Sequence, residues 1–273
     1  MIEGWAMSRN PRLLLGAALS AFSLSCNVIS PPPLMPNLAR IAPNEPGDMR
    51  VMLVVGLGGG IWLDGGVGAE LRVESQVNPW ATVGGGLSGA LNLEYDNDDP
   101  ASGIIPRYGH PRFLYAARAW GRFNPGELDW FALKAGAGIA GTNKGTVALT
   151  LDGAPLFGHS FEVGGEAGSA PWLVSPYGGP VVALSVPLRQ GENIMDQKIS
   201  LGLGPDMHTT SHREPVPFTT TFFVGAQGGL AVDAPGAPAW TGALEILSLL
   251  GISDTHAAVL MGVATGQGVR VRP

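Results

Sequence analysis

What this chain lacks narrows its class before any motif is sought. It has a single cysteine, Cys26, so no disulfide forms within it and no cysteine cluster is available for a metal. Charged residues are only 14% of 273, against roughly 25% in ordinary soluble domains. Lysine and arginine number 16 against 22 aspartate and glutamate, a net charge of −6. The basic patch that a phosphate backbone needs is missing, which argues against nucleic acid as a partner. Beyond the N-terminal region no apolar run reaches about 18 residues, which argues against a bundle of membrane helices. No phosphate-binding loop or dinucleotide fingerprint occurs.

What is present is glycine, 41 residues, about twice the usual share, and a two-residue rhythm. Val67, Ala69, Leu71 and Val73 alternate with Gly68, Glu70, Arg72 and Glu74. After Asn78-Pro79 the same parity resumes, with Ala81, Val83, Leu87, Leu91, Leu93 and Tyr95 set against Thr82, Gly84, Gly86, Ser88, Asn92 and Glu94. Successive side chains of a strand point to opposite faces, so the pattern predicts a hairpin with one apolar face and one small or polar face. These strands are long: a membrane-spanning strand takes about 9–11 residues, a common soluble strand about 5–6. Low charge, high glycine and no long apolar run suit a β-barrel, whose signal per segment is weak.

The same reading predicts about ten antiparallel strands, within a range of 8–12. The first, 51–62, is apolar on both faces. Strands follow over 67–76, 80–95, 112–123 and 129–141. Residues 142–157 read as a loop, although Val147, Leu149 and Leu151 suit a short strand. Residues 159–168 form the sixth strand. Pro180 and Pro187 demote 177–188 to an edge or irregular strand. Strand 218–232 follows. Residues 241–250 form either a strand or a helix capped by Thr241 and stopped by Gly251, and 256–265 are last. The three longest connections, 96–111, 142–158 and 189–217, then fall on one side, as in barrels with short periplasmic turns and long outer loops. Aromatic residues near strand ends (Trp62, Trp80, Phe113, Tyr115, Phe123 and Phe131) suit interfacial girdles.

Residues 13–25 form an apolar run behind Arg9 and Arg12 and ahead of Cys26. A basic start, a short apolar core and small closing residues describe an export signal over 1–25. The segment resembles a bacterial lipoprotein signal, which implies that Cys26 is lipidated; cleavage at small Ser23 and Ser25 by an ordinary signal peptidase is the alternative. Residues 26–49, with Pro31-Pro32-Pro33, Pro36, Pro43 and Pro46, read as an extended tether without packed structure. The β domain then occupies 50–273.

The alternation at 67–95, 112–141, 159–168 and 218–232, with the exported N-terminus, resembles small outer-membrane β-barrel proteins of Gram-negative bacteria. The likeness spans about 50–265 and is one of pattern. It implies an all-β, antiparallel, up-and-down transmembrane barrel. Barrels of this kind usually end on an aromatic residue, whereas this sequence ends Val269-Arg270-Val271-Arg272-Pro273.

In such a barrel the polar-face residues Glu70, Arg72, Glu74, Glu94, Arg118, Arg122, Lys134, Glu162, Glu166 and Gln227 face the lumen. Both signs are present, so they can pair and fill a narrow interior. Other clusters are weaker. His208 and His212, near Glu214, have the spacing of a helical metal pair, but Thr209-Thr210-Ser211 and Pro215 point to a loop. His159 and Ser160 with Glu162 have the residue types of a lipid-cleaving barrel enzyme, yet neighbours on a strand face opposite ways. Asp96, Asp98 and Asp99 lack the glycine and glutamate of a calcium loop.

The expectation is therefore a non-enzymatic, porin-like outer-membrane lipoprotein barrel. It has a structural or narrow-pore role, uses no cofactor or metal, and contacts membrane lipids. Two alternatives stand beside it: a tethered soluble β-sandwich or barrel that binds a ligand or partner, and a lipid-modifying barrel enzyme.

Overall fold

The first and last strands of this chain pair with each other, and that pairing defines the architecture. The computed structural model describes residues 37–38, 40–60, 63–91, 107–108, 113–143, 145–165, 170–191, 194–201, 208–215, 219–236, 239–252 and 257–272. Its strands are β1 (Met49–Gly60), β2 (Leu63–Asn78), β3 (Ala81–Leu91), β4 (Arg107–Tyr108), β5 (Phe113–Phe123), β6 (Phe131–Thr142), β7 (Val147–Gly158), β8 (Phe161–Val163), β9 (Trp172–Arg189), β10 (Ile194–Leu201), β11 (His208–Pro215), β12 (Thr221–Asp233), β13 (Ala239–Ile252) and β14 (Ala257–Val271). No described residue lies in an α-helix.

Every barrel strand pairs antiparallel with its neighbour along the chain, β14 returns to β1, and β9 with β12 completes the ring. Strand β8 continues β7 in the same register along β9, with Gly158 opposite Tyr177 and Phe161 opposite Val174. The result is a closed, up-and-down barrel of ten strands. A sandwich is ruled out, because closure leaves no edge between two sheets.

The alternation becomes geometry along β1. Val51, Leu53, Val55 and Leu57 are exposed on the outside, while Arg50, Met52 and Val54 are buried inside. The start of β1, the end of β14 and the short turns after β2, β5 and β12 lie at one mouth, the turn end. There Asn124-Pro125-Gly126 makes a tight turn with Gly126 and Glu127 at positive φ of 62° and 60°. The two longest connections, 92–112 and 190–220, lie at the opposite mouth, and they pair with each other through β4 and β10, Met195 facing Tyr108.

Four sequence expectations change. Residues 147–158 are the strand β7, so the connection at that point shortens to 143–146. Among the described residues 159–165, only Phe161–Val163 is strand. Residues 239–252 form a strand, β13, and not a helix. Strand β9 is no edge, since it pairs on both sides.

The prolines of β9 are tolerated because they meet irregularities along one seam. The β7–β9 ladder lapses between Gly153↔Val182 and Phe157↔Gly178, where Pro155 and Pro180 lie, and shifts register beside Pro187. Pro176 lies opposite the break between β7 and β8, where its carbonyl accepts a bond from the His159 N–H. Proline cannot donate to a ladder, so gathering it at existing breaks spares the β9–β12 side, which runs unbroken from Thr221 to Asp233.

Candidate functional site

The barrel interior is the candidate site, and alternation delivers its wall. Inward positions on β2, β5 and β6 carry large polar side chains, whereas the facing positions on β3 and β6 are glycine. A Cβ built at Gly84 would lie 2.6 Å from the Trp120 ring, and one at Gly86 would lie 2.5 Å from Glu70 Oε1. At Gly136 a Cβ would collide with the Arg118 guanidinium. These glycines are the space into which Trp120, Glu70 and Arg118 fold.

Glu70, Arg72, Glu74, Arg118, Arg122, Lys134 and Gln227 are all buried on this inner wall. Arg72 donates to Glu70 from Nε at 2.9 Å, lies 3.9 Å from Glu74, and stacks 4.8 Å from the centre of the Trp120 ring. Arg118 and Lys134 flank the same indole at 6.0 and 5.9 Å. The quadrupole of a tryptophan face attracts cations, so one indole helps to hold three. Arg122 donates to the Thr82 hydroxyl at 3.2 Å.

The structure adds partners that sequence reasoning missed. Arg118 pairs with Asp152 of β7. Near the turn end Arg50 donates to Asp233 at 3.1 and 3.2 Å, and Asp233 also accepts from Thr241 at 2.5 Å. Arg50 and Asp233 fall one residue beyond the strand limits read from the sequence. Glu245 of β13 is buried as well. Its signal was a lone acidic residue within the apolar stretch 243–250.

One sequence expectation is corrected. Glu162 is exposed on β8 and belongs to no lumen cluster. The segment assigned to an inward-facing strand is a short exposed extension at the turn end. Glu94, Glu166 and Cys26 lie outside the described residues, as do Asp96, Asp98 and Asp99. His208 and His212 share strand β11, paired opposite Leu201 and Gln197. Four strand steps span roughly 13 Å, so the close approach of a helical pair does not arise. His159 sits edge-on to Phe161 at 4.9 Å, and the Ser160 and Ser175 hydroxyls share a 2.7 Å hydrogen bond.

The largest departure from the sequence reading is the supposed tether. Its last described part forms a strap: Asn37, Leu38, Arg40, Ile41, Asn44 and Asp48 are buried in the barrel, while 45–47 stand exposed at the mouth. Leu38 and Ile41 are almost wholly buried among Met52, Val54, Leu156, Val181 and Phe223. The Asn37 and Leu38 N–H groups donate to the Glu245 carboxylate at 2.9 and 3.2 Å, and the Tyr177 hydroxyl donates to it at 2.6 Å. Arg72 donates to the Asn37 carbonyl at 2.7 Å, and Asn124 to the Ile41 carbonyl at 2.9 Å. At the mouth Arg272 clasps Asp48 and Glu45 at 2.9 and 2.5 Å. These two carboxylates hold the Arg272 guanidinium above its ordinary pKa. Leu38 and Ile41, three positions apart, fill an apolar socket of the lumen, and the polar bonds to Glu245, Arg72 and Asn124 hold the strap beside it. The lumen is therefore filled by apolar packing and by this strap as well as by paired polar side chains.

Comparison with known proteins adds little to this geometry. No protein-family model and no curated protein matches the chain. Among solved structures it is similar to the translocator domain of autotransporter NalP from Neisseria meningitidis, at 13% identity over 96% of each chain, with a TM-score of 0.31. The class of the protein, a closed ten-stranded antiparallel barrel with an occupied lumen, rests on its own strand pairing.

Proposed function

We propose that this chain is an exported outer-membrane β-barrel without enzymatic activity, whose filled lumen gives it a structural or narrow-pore role. The outer face carries the reading. Leu53 and Leu57 on β1, Leu71 on β2, Leu87 on β3, Ile139 on β6, Val182 on β9, Ile246 on β13 and Met261 on β14 stand exposed around the ring, with many more like them. An apolar surface of that extent is a liability in water. In a bilayer it is the ordinary outside of a barrel whose backbone groups are all satisfied by closure. At the turn end Trp80, Phe123, Trp130, Phe157, Phe161, Trp172 and Trp240 stand exposed as a belt. Trp80 meets Phe123 edge-on at 5.2 Å, and Trp172 meets Trp240 at 6.1 Å. Such belts settle at the level of lipid headgroups.

In this reading residues 1–25 direct export, Cys26 carries lipid, and membrane lipids are the principal partners. The test is migration on SDS gels before and after boiling, followed by conductance in planar bilayers. A fast unboiled band that slows on heating, with conductance far below that of a wide porin, is the expected result. A chain released into buffer once its anchor is cut, with no heat shift, would instead be a tethered soluble barrel. Porin-sized currents would overturn the filled lumen.

A further inference from the structure

We propose that the lumen is a binding site for an extended polypeptide, and that residues 37–48 are a built-in ligand that a second peptide can replace. The contacts point there because most of them address the main chain. Glu245 accepts the Asn37 and Leu38 N–H groups, while Arg72 and Asn124 donate to the carbonyls of residues 37 and 41. The Gln76 side chain accepts the Asn44 N–H at 3.2 Å, and its backbone exchanges bonds with Gly47 and Asp48 at 2.8 and 2.9 Å. A wall that reads peptide groups is indifferent to most side chains, as where a peptide adds to a sheet edge. Selectivity comes from the apolar socket, which takes two side chains three positions apart, Leu38 and Ile41.

A second observation marks the strap as an imperfect occupant. Leu38 holds a positive φ of 47°, a region that residues other than glycine enter rarely. Such outliers persist where the surroundings impose them. Around the strap the buried Asn124 Oδ1, Glu74 Oε2 and Arg122 Nε have no hydrogen-bond partner among the described residues. An extended peptide without the left-handed residue could reach these atoms. The strap's outer end is held by the exposed Arg272 clasp, where water and salt compete.

The experiment uses the full chain, folded in detergent, with a protease site placed at the exposed residues 45–47. Cutting there leaves the barrel intact and frees the strap to exchange. A fluorescent synthetic peptide of residues 37–48 is then added. The cut protein, still showing a heat-dependent gel shift, should bind it saturably, and the uncut protein should bind it far less. Replacing Leu38 and Ile41 of the peptide by serine should abolish binding. Glu245→Gln in the barrel should weaken it roughly tenfold or more, because charge-assisted bonds to two N–H groups are lost.

If that variant fails to fold, Arg272→Ala in the uncut protein should raise peptide uptake by loosening the clasp. Absence of binding to a cut barrel that keeps its heat shift would overturn the proposal, as would equal binding of the serine peptide. The inference rests on the closed lumen and not on membrane location. A chain that took up the peptide yet behaved as soluble would refute the outer-membrane reading and leave the peptide site standing.

Discussion

The two walls of the lumen are built on different principles. On β2, β3, β5 and β6 the interior is charged: Arg72, Arg118, Arg122 and Lys134 face Glu70 and Glu74, and glycines make room for them. On β7, β9, β12 and β13 it is mainly apolar, with Asp152, Gln227, Asp233 and Glu245 set into it: Leu156, Val181, Phe223 and Leu249 belong to the core that receives Leu38 and Ile41 of the strap. The charged wall is specific in geometry, because each cation needs a particular carboxylate, carbonyl or ring. The apolar wall is specific in volume, and dispersion forces ask only that space be filled. The strap bridges the two, with its side chains on one wall and several of its peptide groups on the other.

Each wall should therefore break in its own way. The largest effect is expected from Gly138→Leu, whose Cβ would lie 2.7 Å from the Ala117 carbonyl oxygen, backbone of the paired strand that cannot swing aside; the unboiled fast band on SDS gels should vanish. Next comes Arg72→Met, which strands Glu70 and removes the bond that Arg72 donates to the Asn37 carbonyl. Breaking one partner of a buried ionic set costs about 3–5 kcal/mol, to be read from the denaturant midpoint in detergent. A midpoint unchanged by this substitution would show that the charged wall does not hold the barrel.

On the apolar wall Leu156→Ala should cost about 2–5 kcal/mol through the cavity it leaves. It should be partly rescued by an enlarged neighbour such as Ala154→Val, a compensation the charged wall should not allow. The smallest effect is expected outside both walls. Arg272→Ala should lower the denaturant midpoint only slightly, and the loss should fade as salt is raised. A salt-independent loss would mean that the clasp is more than an exposed ion pair.

The same contrast explains what could be read from the sequence. The hairpin over 67–91 and the strands at 113–123 and 131–142 were legible because their inner faces are polar or glycine and their outer faces apolar. The two-residue period then appears in plain composition, and it carried Glu70, Arg72, Glu74, Arg118, Arg122, Lys134 and Gln227 to the correct face. Strands β7, β9 and β13 have apolar residues on both faces. Ala148, Ala154 and Leu156 point in while Leu151 and Phe157 point out, and Val181 points in beside an outward Val182. Alternation disappears when both environments are apolar, so one strand read as a loop, one as an edge and one as a possible helix. The strap was illegible for another reason: its burial depends on a socket to which strands distant in sequence, such as β7, β9 and β12, contribute. Glu245 and Asp152 escaped notice because their partners come from the strap and from β5.

Asp48 and Arg272 meet across 224 positions of chain, and β1 finds its second neighbour only in the 15 residues of β14. A barrel arranged this way is sealed by the pairing of β1 with β14. Until that pairing forms, β1 offers a row of unpaired peptide groups to any passing strand, and closure waits on the most distant contacts in the molecule. Loss of β14 would not yield a smaller barrel. It would yield an open, sticky sheet and a seed for aggregation.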